Sequence, residues 1–113
     1  MKKKMFIFLC CFFFFAVAAL ATNLRGRVLR FDPVTKNYSP LVNARIDITI
    51  WNGTKWVETG YAFTGKDGFY YFVNFSPGSQ FRVKAQGKFY PPQALFIQNI
   101  LPPYYQEIPQ IVL

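Results

Sequence analysis

Five carboxylates, Asp32, Asp47, Glu58, Asp67 and Glu107, are the only acidic groups of this 113-residue chain, and histidine is absent. Acid–base catalysis by carboxylates needs two of them brought to one place, and hydrolytic zinc needs a cluster of His, Cys or carboxylate ligands. None of the five falls in a paired-carboxylate or nucleophile motif, and calcium would require clustered oxygen donors that the spacing does not offer. Asp67, directly before Gly68, reads as a turn former. Asp47 stands in an alternating run and reads as a cross-strand partner for a cation. The residue types therefore predict a protein that is not an enzyme and holds no metal and no cofactor.

Binding chemistry is better represented, because 20% of the residues are aromatic. Trp51, Trp56 and Tyr61 cluster on and beside an Asn52-Gly53 turn signal, and Trp51 shares its face with polar residues. Aromatic rings that stay exposed can stack on the faces of sugars. The alternative role for the same rings is cross-strand packing on the outside of a sheet. A second aromatic surface is offered by Phe89-Tyr90-Pro91-Pro92 and by Pro102-Pro103-Tyr104-Tyr105, where proline and tyrosine suit protein contacts or clamp loops against a rim. The candidate ligand or partner contacts are thus Trp51, Trp56, Tyr61, Tyr90, Tyr104 and Tyr105.

The N-terminus carries an address. Lys2, Lys3 and Lys4 precede an apolar run from Met5 to Leu20 that ends in Ala19-Leu20-Ala21, the pattern of a secretory signal peptide cleaved after Ala21. The run is shorter than the roughly 20 residues that span a bilayer. The membrane is therefore expected to be met only during export, and residues 22–113 form the mature domain, secreted or periplasmic. Both cysteines, Cys10 and Cys11, lie in the leader, so disulfides and thiolate chemistry are excluded from the mature chain. Removing three leader lysines from 13 Lys and Arg leaves ten against five acids, a formal +5. These cations are spread along the chain without a run of neighbours, which argues against nucleic acid and for a solvated, mildly basic surface.

The elements that must position the candidates are strands. Leu24, Gly26 and Val28 alternate with Arg25 and Arg27, and Phe31-Asp32-Pro33 ends this first strand. A loop from Asp32 to Pro40 leads to the cleanest alternation of the chain, with Ala44, Ile46, Ile48 and Ile50 on one face and Arg45, Asp47, Thr49 and Trp51 on the other. Asn52-Gly53 is the preferred centre of a type I′ hairpin turn, so Lys55 to Thr64 should return antiparallel. Asp67-Gly68 and Ser76-Pro77-Gly78 bracket Phe69 to Val73, and Gln80 to Ala85 follows. Further strands are expected at Ala94 to Ile100 and, around Pro109, at Glu107 to Leu113. Seven short strands with frequent turns predict an all-β, antiparallel-rich sandwich behind a signal-peptide helix.

The order of motifs resembles the carboxypeptidase regulatory-like domains, which share a transthyretin-like (prealbumin-like) sandwich with collagen-adhesin B-type repeats. It starts with Gly26-Arg27-Val28 and Pro40-Leu41-Val42-Asn43-Ala44-Arg45-Ile46. It is densest at Thr64, Asp67-Gly68, Tyr70, Phe72, Asn74-Phe75, Pro77-Gly78, Phe81 and Val83. The resemblance implies that Tyr70, Phe72, Phe81 and Val83 pack a core. Hydroxyisourate hydrolases of related fold rely on histidines, which this chain lacks. An adhesin-type Lys-Asn crosslink is not expected either, since the first strand offers Arg25, Arg27 and Arg30 and the last strand has no Asn. Leader, residue types and resemblance together predict an exported, non-catalytic module that mediates interaction with an envelope or extracellular protein or gives structural support in the cell envelope, with carbohydrate binding through exposed aromatics as the alternative. Asn-x-Ser/Thr triplets at Asn37, Asn52 and Asn74 read as chance occurrences beside a Lys- and Phe-rich leader of bacterial character.

Overall fold

A computed structural model describes residues 21–113; the expected leader lies outside the described residues. The described residues are all-β and form two sheets that pack face to face. Among the described residues ten strand segments take the place of the seven expected: β1 (Thr22–Asp32), β2 (Asn37–Pro40), β3 (Arg45–Trp51), β4 (Trp56–Phe63), β5 (Phe69–Phe75), β6 (Gln80–Ala85), β7 (Lys88–Phe89), β8 (Leu95–Phe96), β9 (Tyr105–Glu107) and β10 (Ile111–Val112). Proline divides the late segments. Pro91-Pro92 precedes β8, Pro102-Pro103 precedes β9, and Pro109 splits the last expected strand into β9 and β10 because proline cannot donate to a ladder.

The first sheet is organised by β1. Its N-terminal half lies between β5, antiparallel, and β9, parallel; its C-terminal half lies between β2, antiparallel, and β10, parallel. Part of the expected loop from Asp32 to Pro40 is therefore the hairpin strand β2. The second sheet runs β4-β3-β6-β7, with β8 also on β6, and all its pairings are antiparallel. Period two does the sorting: Leu24 and Val28 of β1 and Tyr70 and Phe72 of β5 face Ile46 and Ile48 of β3 and Phe81, Val83 and Ala85 of β6. The four residues expected to build the core all do so.

Gly26 is required by one of them. A Cβ there would fall 2.2 Å from Cζ of Tyr70, whose ring is fully buried and set edge-on to Phe72. The Tyr70 hydroxyl has no hydrogen-bond partner among the described residues, and burial pushes its ionisation well above the usual tyrosine value.

Three buried polar side chains stitch the strands. Thr64 donates to the Leu41 carbonyl and accepts from Ala44 N–H at 2.8 Å, which closes the open end of the β3–β4 hairpin. Thr22 donates to the Gln98 carbonyl at 2.6 Å, and Gln106 accepts from Gln98 N–H at 2.7 Å while donating to the Phe96 carbonyl at 2.9 Å. The segment that continues β8 is thus tied to β1 and β9, although only Leu95–Phe96 of the expected Ala94–Ile100 run is strand.

Candidate functional site

The outward-facing side of the second sheet is where the candidate residues converge. On β3 the alternation that buries Ile46 and Ile48 turns Arg45, Asp47, Thr49 and Trp51 outward, and on β6 it turns Arg82 and Lys84 outward. Opposite partners in an antiparallel pair share a face. Trp56 therefore joins Trp51, Tyr61 joins Asp47 and Phe63 joins Arg45 on β4, Phe89 joins Lys84 from β7, and Phe96 joins Gln80 from β8.

Trp56 and Tyr61 reach the same face only because of a bulge. They are five residues apart, an odd number, so an unbroken strand would point them to opposite sides. The β3–β4 register shifts between Ile48 and Thr49, where Glu58 pairs with Thr49 and Gly60 with Ile48, so Thr59 is the extra residue. Before it Trp56 and Glu58 face out; after it Tyr61 and Phe63 do. One inserted residue converts two half-faces into a continuous aromatic one.

The hairpin differs from expectation. Asn52 N–H donates to the Lys55 carbonyl at 3.1 Å, so Gly53 and Thr54 are the central residues. Of these only Gly53 has positive φ, at 102°, and a type I′ turn on Asn52-Gly53 does not form. Asn52 instead works through its side chain, whose Oδ1 accepts from Thr54 N–H, the Thr54 hydroxyl and Lys55 N–H, each at 2.9 Å. The loop sets Trp51 against Trp56 at 5.5 Å between ring centroids, tilted 58°.

Cations cover the ring faces. The Arg82 guanidinium lies 4.0 Å from the Trp56 centroid and 4.0 Å from that of Phe89, held between the two rings. Arg45 lies 4.3 Å over Tyr61, and Lys84 stands 5.9 Å from Phe89. Two of these cations are also paired: Arg45 with Asp47 at 3.1 Å and Lys84 with Glu58 at 3.6 Å. Asp47 was expected to find its cation across strands; it finds one two residues earlier on its own strand, because Arg45 and Asp47 share the outer face. Tyr61, Phe63 and Phe96 remain 60%, 55% and 60% exposed, more than the half-buried Trp56 and Phe89 beneath the cations.

The other candidates lie elsewhere. Tyr105 is half-buried on the outer side of the first sheet, 5.5 Å from Tyr71, with Arg25 at 5.7 Å from its ring. Arg25 is ion-paired to Glu107, which raises the guanidinium above its usual range. Tyr104, 72% exposed, occupies the turn before β9. Tyr90 donates its N–H to Val83 at 3.0 Å and packs its ring against the core. The structure thus brings Trp51, Trp56 and Tyr61 together and leaves Tyr90, Tyr104 and Tyr105 apart from them.

Sequence reasoning missed Arg82, Phe63, Phe89 and Phe96 as members of the aromatic face. The signal for Arg82 was present, since it alternates with the buried Phe81 and Val83. That for Phe63 depends on the bulge.

Asp47 and Glu58 share the outer face of the second sheet, and the other three acids lie elsewhere. Asp32 accepts from Val34 N–H at 2.9 Å, which holds its carboxyl below the usual range, and Asp67 accepts from Phe69 N–H at 3.0 Å. Asp47, Glu58 and Glu107 are in ion pairs. Among the described residues no three His, Cys, Asp or Glu stand close enough to hold a metal ion. No family model matches the chain, and no curated protein matches it.

Proposed function

We propose that this chain is an exported, non-catalytic β-sandwich module of the carboxypeptidase regulatory-like, transthyretin-like kind. Its role is to bind a protein of the cell envelope or extracellular space through the outer face of its second sheet. The observation that carries this reading is the aromatic face itself. Trp51, Trp56, Tyr61, Phe63, Phe89 and Phe96 lie on one side of one sheet, and the least covered of them are large and apolar. Aromatic side chains in a rigid, cation-rimmed setting are the usual anchors of protein interfaces.

Two further observations support it. Each of the five carboxylates is engaged in a turn or an ion pair. A sugar platform requires an open ring face, yet Arg82 occupies faces of Trp56 and Phe89, the two rings at the centre of the group. This favours protein over carbohydrate as the ligand.

The test is capture of partners from the producing cells with the wild-type chain and with Tyr61→Ala and Phe63→Ala. Each substitution removes an exposed ring, so the fold should be retained. Capture of a specific protein should weaken by on the order of thirtyfold, as for interface hot spots. Equal capture by both variants, or a glycan-array response together with quenching of the tryptophan fluorescence on titration with the same glycan, would sink the reading.

A further inference from the structure

The centre of the aromatic face holds a cation that its own protein leaves unanswered. Arg82 is clamped between Trp56 and Phe89, takes part in no ion pair among the described residues, and its Nε is buried without a hydrogen-bond partner. Acids are nearby. Glu58 pairs with Thr49, and Thr49 in turn with Arg82, in one cross-strand row, yet the Glu58 carboxylate contacts Lys84. Asp47 contacts Arg45. With both acids of the face used by its other cations, the residual charge is positive and sits on Arg82.

We infer that Arg82 is the receptor for a carboxylate of the partner, and that the partner docks an acidic protein segment whose apolar residues lie on Tyr61 and Phe63. This rests on the protein-binding reading above and names the chemistry of the partner. A guanidinium stacked between two rings keeps its terminal N–H groups, which unlike the enclosed Nε–H are not buried, for an anion and loses little freedom when it binds one. Its geometry suits a planar, bidentate acceptor.

The surroundings select among anions. A lipid surface or a nucleic acid is held by many cations acting together, each adding a modest increment. Here two of three cations on the face are already neutralised, and the free one is ringed by aromatic side chains. One strong charge inside an apolar surround matches a carboxylate flanked by apolar residues, the composition of a protein segment.

The experiment screens a library of short random peptides against the intact chain, with phosphatidylglycerol vesicles and heparin as separate arms. Selected peptides should carry Asp or Glu beside apolar residues, and their binding should fall as salt is raised. Arg82→Gln should weaken it by on the order of thirtyfold. Arg82→Lys keeps a cation between the rings but loses the planar fork; it should weaken binding by about tenfold, and it keeps the test informative if Arg82→Gln does not fold. Enrichment of acid-free peptides whose binding survives Arg82→Gln but not Tyr61→Ala would overturn this inference and leave the protein-binding reading standing. Binding confined to vesicles or heparin, or no binding in any arm, would overturn both.

Discussion

Truncating Phe81 to alanine should lower the stability of the folded chain by about 3 to 5 kcal/mol. Phe81 is fully buried on β6, opposite Ile50 of β3 and Leu95 of β8, and it is among the largest side chains with no exposure. Its loss would leave a cavity between sheets whose neighbours, Ile46, Ile48, Tyr70 and Val83, are themselves fixed by strand pairing. No cysteine occurs after Cys11, so no disulfide supports the described domain. Domains of this size hold about 5 to 15 kcal/mol in total, and the substitution would remove a large share of it. Urea denaturation should show a lower midpoint with an unchanged slope. A loss below about 1 kcal/mol would mean that Phe81 is not at the centre of the packing described.

The second large effect is expected at Gly68. Its φ of 80° lies in the left-handed region, and a Cβ there would stand 2.5 Å from the carbonyl oxygen of Val28 and 3.2 Å from Cβ of Pro40. The obstacle is backbone held from two sides. Val28 donates its N–H to Gly68 at 2.9 Å, and its carbonyl accepts from Leu41 at 3.0 Å. A methyl group would have to part β1 from the turn between β4 and β5. Gly68→Ala should therefore cost about 2 to 5 kcal/mol, from left-handed strain and overpacking together.

Gly78 supplies the control. It has φ of 89°, but nothing lies within 4 Å of its added Cβ. Gly78→Ala should cost only the backbone strain, about 1 to 2 kcal/mol. Equal losses at the two glycines, measured by thermal or urea unfolding, would contradict the close approach at Gly68.

These two glycines also mark how far the residues could be read. That both needed positive φ was legible from Asp67-Gly68 and from Ser76-Pro77-Gly78. That Gly68 meets Val28 while Gly78 meets nothing was not, because it depends on which strands lie beside each turn. The core was legible for a similar reason: strict alternation in Arg45–Trp51 and Gln80–Ala85 leaves one way to bury Ile46, Ile48, Phe81 and Val83. Strand number was less so, since proline-split segments of two or three residues carry no period.

The candidate site was legible in part. Trp51, Trp56 and Tyr61 stood out by type and proximity, but their common face depends on a bulge at Thr59 that no residue pattern announces. The Arg82 stack depends on Phe89, seven residues later, folding back across β6 by way of Gln86-Gly87, both at positive φ. Tyr90, Tyr104 and Tyr105 were selected by their proline-rich context, yet Tyr90 packs against the core while Tyr104 and Tyr105 lie at the start of β9 on the first sheet.

The central claim is that the outer face of the second sheet meets a protein partner. It is tested most directly by photo-cross-linking in the producing cell, with the cross-linker placed at position 61, at position 63 or at position 104. The account predicts a discrete protein adduct from positions 61 and 63 and none from position 104. Adducts from position 104 alone, or glycan adducts from positions 61 and 63, would contradict it.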